Sequence, residues 1–311
     1  MPGKRPSSTP RVTTAPSKPS PSILVGLLRP RILLTLSILL FIGVFAPYAP
    51  RLIPNLKGRP EYRVDSRSIA VPGGHEWIPA DVVQESFEGR DPLLSLLEPE
   101  TAETVARELQ KHPWVDRVNR VSVNRNGTIS ADLSYRKPVA FIEASSGLYP
   151  VDADGVLLPP KDFSPQDAEA FPHIRNVSSA PPRQAGLVWE DAVVKGGAKI
   201  ADRLTPGGDR ERIWKRFGLV GIAGPRGGKS VSGAAVDQIS FELLTSAGSR
   251  IQWGKAPGAD DLEPTFDQKI GRLQHYLATY GSFDKPQGPY DIDIRGFEAI
   301  SLYPLDSKLY R

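Results

Sequence analysis

The sequence contains no cysteine among its 311 residues. This absence excludes disulfide bonds, iron–sulfur clusters and thiolate zinc sites. Histidine is also scarce, because only four are present and no two of them are spaced four residues apart, as a helical metal-binding pair would be. We therefore expect a protein that holds neither a metal ion nor any other cofactor.

Acidic residues are missing from the first 60 positions, and the first one is Glu61. The formal net charge of the whole chain is only +4, so the basic excess is confined to one end. Such a mild and local excess does not favour nucleic acid as a partner. No nucleophile–base pair or carboxylate pair stands in a recognisable catalytic motif, and we expect neither an enzyme nor a small-molecule substrate.

Long apolar runs are also absent, with the exception of Ile32–Ala46, which Pro47 ends. With two further residues the run reaches roughly 18 residues, about the minimum for a bilayer span. The run predicts a transmembrane signal anchor over 32–49. Its apolar surface would include Ile32, Leu36, Leu40 and Val44.

The residues on either side of this run predict the orientation of the span in the membrane. Residues 1–31 are rich in proline, serine and threonine and predict a disordered basic tail. Six lysines or arginines precede the run, which favours a cytoplasmic tail, and a linker over 50–60 follows it. We expect a single-pass type II membrane protein with its large domain outside the cytoplasm. Cleavage after Ala46 is the open alternative, although Pro47 would hinder it.

Residues 61–137 predict the order strand, helix, helix, strand, strand. Tyr62 and Val64, followed by Ile69–Val71, suggest an entry strand. Residues 82–87 are typical of a short helix, and Ala102–Leu109 has helical spacing of its apolar residues. Asn126-Gly127 stands between two alternating runs, which is the strongest short signal for a β-hairpin. We expect three strands in one sheet, with both helices on one face.

Several motifs in this region resemble those of the FtsQ/DivIB family of bacterial cell division proteins. They are His112-Pro113-Trp114-Val115, then Val121-Ser122-Val123, and Tyr135-Arg136-Lys137-Pro138-Val139-Ala140 after the hairpin. The resemblance extends over most of the chain. It implies one span in the bacterial inner membrane, a POTRA domain over 61–137 that docks other proteins, and a β domain over 138–303, in an α+β fold.

The β domain is expected to combine a mixed sheet with a C-terminal helix and edge strands. Asp152-Ala153-Asp154-Gly155 predicts a turn, since the helices and the final glutamate of a calcium loop are missing. Residues 160–235 follow no clear pattern, although Ile213–Phe217 is consistent with the end of a helix.

Residues 223–230 satisfy a relaxed phosphate-loop pattern, with alanine in place of the first glycine. Such a loop requires a helix that starts at Lys229 and binds phosphate at its N-terminus. Val231-Ser232-Gly233 is a poor start for a helix, so we favour a flexible basic loop. A cytoplasm-facing NTPase that uses Lys229 is the alternative.

The C-terminal region contains the predicted partner site. Pro264 opens a helix that Gly281 ends, and strands are predicted over 290–295 and 298–303, ahead of a short tail over 304–311. A last strand often lies at a sheet edge, where a partner strand can pair with it. In FtsQ-like proteins this region captures the FtsB-type partner. The resemblance therefore implies partner-binding roles for Ile300, Ser301, Leu302 and Tyr303, and for Tyr276 and Tyr280.

The predicted function is a non-enzymatic scaffold of the divisome at the division septum. The resemblance implies that the POTRA domain and the last strand link early division components to septal wall synthesis. FtsB- or FtsL-type single-span proteins would be the partners. A general envelope protein that uses a POTRA domain in assembly or secretion is the alternative.

Overall fold

A computed structural model describes residues 30–48, 59–71, 73–74, 76–89, 93–124, 126–205, 213–226, 233–259 and 262–305. The chain divides into two compact units, Met1–Leu56 and Lys57–Arg311. Most of the predicted N-terminal tail, the linker and the C-terminal tail lies outside the described residues. The two units are treated separately below.

The described part of the first unit is one helix, α1 (Pro30–Phe45), followed by a 3-10 turn, Ala46–Tyr48. Pro30 occupies the first helical position, where a proline sacrifices no hydrogen bond. Pro47 accounts for the end of the helix, because it lacks an N–H and its ring clashes with the preceding turn. The four predicted anchor residues all lie on α1 and are exposed: Ile32, Leu36, Leu40 and Val44.

The prediction of a transmembrane helix over 32–49 is wrong. Within the described ranges, no helix is both long enough and apolar enough to cross a membrane. α1 has 16 residues and at about 1.5 Å per residue spans roughly 24 Å, less than the ~30 Å hydrocarbon core. The predicted localisation as a single-pass inner-membrane protein is contradicted by the same finding. The prediction failed because the apolar composition continues to residue 49, whereas the α-helix ends at Phe45.

In the described residues from 59 to 135, the second unit contains four strands and two α-helices. β1 (Arg63–Asp65) pairs antiparallel with β2 (Leu93–Ser95), and α2 (Val82–Ser86) lies between them in sequence. α3 (Thr101–Gln110) precedes β3 (Val115–Val123), which pairs antiparallel with β4 (Ile129–Tyr135). Gly127 in the connecting turn has φ +81°, so the hairpin predicted from its Asn-Gly sequence is confirmed.

Among the described residues of this region, the expected three-stranded sheet does not form. Ala70 makes only an isolated parallel bridge to Ser130, with two main-chain hydrogen bonds of 2.9 Å to neighbouring β4 residues. The sequence Pro72-Gly73-Gly74 follows directly, and proline and glycine both weaken a strand. β1 contains Val64 of the predicted entry strand, but the sequence does not predict its pairing with β2.

A hydrophobic core lies between the two helices and the hairpin. Its fully buried members include Val105 and Leu109 on α3, and Trp114 and Ile129 beside them. Val105 and Leu109 are four residues apart and therefore share one face of the helix. Burial of this face, together with the inward side of the hairpin, stabilises a region whose individual elements are short.

The rest of the second unit is built on one eight-stranded mixed sheet. Its strands are β5 (Ala140–Ala144), β6 (Gly147–Val151), β7 (His173–Arg175), β8 (Leu219–Ala223), β9 (Phe241–Thr245), β10 (Arg250–Gly254), β11 (Tyr290–Asp293) and β12 (Ser301–Pro304). Their spatial order is β12-β11-β10-β9-β8-β7-β5-β6. The pairs β5–β7, β7–β8 and β10–β11 are parallel, and the other pairs are antiparallel. The protein is therefore of the α+β class.

The described helices that accompany this sheet are α4 (Pro165–Glu169), α5 (Ala192–Leu204), α6 (Ile213–Arg216) and α7 (Phe266–Tyr280). The two long helices, α5 and α7, share a single core with the inward-facing strand residues. The opposite side of the strands carries partly exposed polar residues such as Arg175, Glu242 and Gln252. One face of the sheet is thus covered by helices. The other face is polar around β7, β9 and β10, whereas Phe141 on β5 is buried there against Phe171.

Helix α5 lies in the segment that the sequence left unassigned. Gly196 and Gly197 in its middle obscure the helical pattern, because glycine is a poor helix former. The structure explains their presence: a Cβ at Gly196 would lie 2.4 Å from Cζ of Phe241, and one at Gly197 would lie 3.0 Å from Cδ1 of Ile174. The two glycines let the helix backbone approach the sheet closely.

Trp114 connects the N-terminal and C-terminal parts of the second unit. Its side chain is completely buried, and its indole Nε1–H donates a hydrogen bond of 2.7 Å to Oδ2 of Asp162. Its ring also stacks on Phe163, with 5.7 Å between ring centroids. The Trp114 ring is thus part of the core, and its polar end fixes the connection after β6.

An ionic contact supports the same junction. Lys161 Nζ lies 2.6 Å from Oε1 of Glu85, and Oε2 of Glu85 lies 3.2 Å from Nε2 of His112. The hydrogen bond from Lys161 holds the pKa of Glu85 below its ordinary value. A depressed carboxyl pKa contributes stability above the unfolded-state pKa that is lost as the pH falls, although this pair is largely exposed and its contribution is small.

We predict that Trp114→Phe lowers the free energy of unfolding by about 2 kcal/mol more than Trp253→Phe does. Both tryptophans are buried, but Nε1 of Trp253 has no hydrogen-bond partner in the described structure. Only Trp114→Phe deletes a hydrogen bond to a carboxylate, which is worth about 1.5–3 kcal/mol. Urea unfolding of both variants measures the difference, and equal losses would contradict the assigned role of Asp162.

Candidate functional site

The candidate site is formed by α7 and the last strand, β12. The bounds of α7 follow from its sequence: Thr265 and Gln268 form a capping box at its start. Gly281, with φ +81°, ends it in the left-handed conformation and donates its N–H to the carbonyl of Leu277 over 2.8 Å. The predicted helix between Pro264 and Gly281 is confirmed.

A buried ion pair holds the first turn of α7 against the sheet. The Lys269 side chain is 1% exposed, and its Nζ lies 2.7 Å from Oε2 of Glu263, which is 15% exposed. The ammonium group also lies 5.1 Å from the ring centroid of Trp253. The same Glu263 oxygen accepts the N–H of Lys255. A pair this deeply buried requires both members, since either charge alone would be costly to bury.

The inward face of α7 consists of Ile270, Leu273 and Tyr276, all buried. The Tyr276 hydroxyl donates to the carbonyl of Lys285 over 3.0 Å, and burial raises the pKa of this phenol. Tyr276 is therefore mainly a core residue with a fixed hydroxyl, whereas Tyr280 packs against it with centroids 4.7 Å apart and is exposed.

Strand β12 is the edge of the eight-stranded sheet. Among the described residues it pairs only with β11, antiparallel, and all four of its residues are exposed. Leu302 lies opposite the buried Ile292 and so shares the face that α7 covers. Ser301 and Tyr303 point to the opposite, polar face, because side chains alternate along a strand.

The register identifies the main-chain groups that face away from the sheet. Leu305 donates its N–H to the carbonyl of Pro289 over 2.9 Å, just outside the pair of Tyr290 and Pro304. This bond joins the opposed residues Leu305 and Pro289, so the next pair, Tyr290 and Pro304, is a non-hydrogen-bonded pair. The two kinds of pair alternate along an antiparallel ladder, so the pair of Ile292 and Leu302 is also non-hydrogen-bonded. The N–H and C=O of Leu302 therefore point outward, and Pro304 has no N–H to offer there.

A groove of about 610 Å³ runs between α7 and the segment that leads into β12. It brings together four of the six predicted site residues, Tyr276, Tyr280, Ile300 and Leu302. The other two, Ser301 and Tyr303, do not line it. The groove therefore has an apolar wall from the strand side and an aromatic wall from the helix.

The sequence analysis missed the other lining residues of the groove, among them Arg272, His275 and Phe297. Phe297 is 62% exposed, which is unusual for so large an apolar side chain. It lies in an irregular segment where no periodicity applies, so no pattern could have singled it out. Arg272 is an ordinary charged helix residue in sequence, and only its contacts distinguish it.

Two other sheet edges, those of β3 and β6, are less accessible. On β3, the Gln110 amide donates to the carbonyl of Asp116 and accepts the N–H of Val118, each over 3.0 Å. Register irregularities at two points also interrupt this edge. On β6, the main chain of 156–158 bonds to Pro150 and Val151. Bulges and covering segments of this kind discourage added strands, and β12 has neither among the described residues.

The phosphate-loop candidate is described only in part, since Gly227, Gly228, Lys229 and Ser230 lie outside the described residues. Leu219–Ala223 before it does form a strand. The described residues immediately after it include the 3-10 turn Val236–Gln238, and the next regular element is a strand. In the described ranges, no cluster of three His, Asp or Glu side chains is arranged to hold a metal ion.

No protein-family model matches the chain, and no curated protein matches it. The resemblance to the FtsQ/DivIB family therefore depends on the motifs around Trp114 and Arg136 and on the predicted order of elements. It stays a prediction.

We predict that Glu263→Leu lowers the free energy of unfolding by about 3–5 kcal/mol, because it leaves the Lys269 charge buried without a partner. The double variant Glu263→Leu/Lys269→Met should recover most of this loss. Urea unfolding of the single and double variants measures both effects. A loss below about 1 kcal/mol in the single variant is the value of a solvated pair and would contradict the buried one.

Proposed function

We propose that this protein is a non-enzymatic scaffold of the bacterial cell division machinery that captures a partner through β12. The observation that carries the proposal is an exposed edge strand beside an apolar groove. An edge of this kind binds an extended segment by adding it to the sheet, a mode that needs no catalytic group. The main chain would supply affinity, and the groove would supply specificity.

The partner strand would pair around Leu302. The N–H and C=O of this residue point outward, so they can form two hydrogen bonds with an added strand. Pro304 limits the pairing on the C-terminal side, because it contributes only a carbonyl. The accessible edge is therefore short, and main-chain bonding to so few residues requires additional side-chain contacts.

The groove would provide those contacts. Every second side chain of an added strand would point to the side that α7 covers, where Tyr280, Phe297, Ile300 and Leu302 present apolar surface. Burial of apolar area contributes about 25 cal/mol per Å². We therefore propose a partner segment that alternates large apolar residues with polar ones.

The assignment to cell division rests on the resemblance. In FtsQ-like proteins the corresponding region captures the FtsB-type partner, and a POTRA domain docks other division proteins. We propose the same two roles for residues 298–303 and for 61–137, so that the protein would join early division components to septal wall synthesis. FtsB- or FtsL-type proteins are the proposed partners.

We predict that Leu302→Glu abolishes recruitment of the host's FtsB-type protein to mid-cell, because a carboxylate would be buried against the groove. Leu148→Glu is the matched control, since Leu148 is 40% exposed and Leu302 is 38% exposed, and Leu148 lies on β6 at the opposite edge of the same sheet. Fluorescent fusions to this protein and to the partner, followed through the division cycle, measure the effect.

A main-chain variant tests strand addition itself. Leu302→Pro keeps an apolar side chain but removes the outward N–H, and should weaken partner co-purification about fivefold to tenfold, as loss of one hydrogen bond predicts. Unchanged co-purification would contradict strand pairing. A diffuse signal of this protein in dividing cells would instead favour the general envelope alternative, and self-association lost in Leu302→Glu would identify a second copy as the occupant.

A further inference from the structure

One side chain connects α7 to the segment that precedes β12. Nη1 of Arg272 donates to the carbonyl of Ile294 over 3.1 Å and also to that of Gly296, while Nη2 donates to the carbonyl of Phe297. A single guanidinium group thus binds three main-chain carbonyls within four residues of chain. The described structure places no carboxylate in a salt bridge with it.

The segment that Arg272 binds, residues 294–300, has no regular secondary structure in the described chain. Its first residue, Ile294, is fully buried, whereas Phe297 is largely exposed on the groove. Between the core residue Ile294 and the partly buried Ile300, residues 295–299 are exposed and have little packing to define their path. The conformation of this segment therefore depends on the bonds made by its carbonyls.

We propose that Arg272 is the positioning residue of the docking edge. By binding the carbonyls of residues 294, 296 and 297, it fixes the path along which Phe297 and Ile300 reach the groove. It also sets the start of β12, and hence the outward direction of the Leu302 peptide. The inference rests on the proposed function for its biological meaning, but the positioning itself can be measured without any partner.

The chemistry of the side chain explains why arginine occupies this position. A guanidinium group is planar and presents five N–H donors in a fixed fork, so it can serve several converging acceptors at once. A lysine ammonium is a compact point charge on a flexible stem and is more strongly hydrated. Arg272→Lys therefore preserves the charge of the helix but not the geometry of the three contacts.

A direct salt bridge to an acidic partner is the competing role for Arg272. The two roles predict different results for the lysine variant. An ion pair with a partner would be retained in part by Arg272→Lys and would weaken with salt. If Arg272 positions the segment, both Arg272→Lys and Arg272→Ala would release it. The release would be measurable in the protein without a bound partner.

The experiment is hydrogen–deuterium exchange of the full chain, with Arg272→Lys, Arg272→Ala and the control Gln274→Ala, whose side chain is exposed on α7 and does not line the groove. Both Arg272 variants should exchange about tenfold faster in peptides covering 290–305, as expected from the loss of charge-assisted bonds. Peptides covering 115–135 serve as an internal reference and should not change, which separates local positioning from a general loss of stability.

Co-purification of the host's FtsB-type protein with the same variants completes the test. If Arg272 positions the docking edge, both Arg272 variants should co-purify at most about a tenth of the partner that the wild-type chain retains. Gln274→Ala should co-purify the same amount as the wild-type chain. Unchanged exchange over 290–305, or full retention by Arg272→Lys, overturns the inference. If the wild-type chain captures no partner while exchange still accelerates in both variants, positioning of the edge stands and the proposed function fails.

Discussion

The eight-stranded sheet has one apolar face, and the need to cover it governs most of the second unit. Helices α5 and α7 cover this face, and particular residues allow each helix to pack on the sheet. In α5, Gly196 and Gly197 have no side chains and leave space for Phe241 and Ile174. In α7, the buried ion pair of Lys269 and Glu263 lies beside the ring of Trp253.

The position of α7 in turn creates the candidate site. Its inward residues complete the core beside β11, but β12 is not covered from the outside by any described residue. The result is a groove with a helix on one side and an unpaired strand on the other. Arg272 links these two walls through main-chain carbonyls. The groove is therefore a consequence of how the core closes and not a separate feature added to it.

The contrast between the sheet edges supports a selective role for β12. An unpaired edge is a hazard to a protein, since it can pair with any extended chain. Here the β3 edge is occupied by the Gln110 amide, and the β6 edge is partly covered by the main chain of 156–158. Retention of an apolar, accessible edge at β12 is readily understood if a specific partner normally covers it.

Local signals in the sequence determined the elements whose chemistry is contained within a few residues. Asn126-Gly127 identified the β3–β4 hairpin because a tight turn requires positive φ. Asp152–Gly155 identified a turn in which Oδ1 of Asp152 accepts the N–H groups of Asp154 and Val156. The helix between Pro264 and Gly281 followed from its end signals. The same local reasoning failed at α1, where apolar composition indicated a span that the 16-residue helix does not provide.

Contacts between distant residues were decided only by the tertiary structure. No periodicity reveals that Gly196 faces Phe241, that Trp114 binds Asp162, or that Arg272 binds the carbonyls before β12, because each contact joins elements brought together by the sheet. The sequence by itself identified β12 as a strand near the end of the chain and four of the groove residues by resemblance. Its place at the edge, the outward Leu302 peptide and the exposed Phe297 depend on strand order and register, which arise from packing of the whole unit.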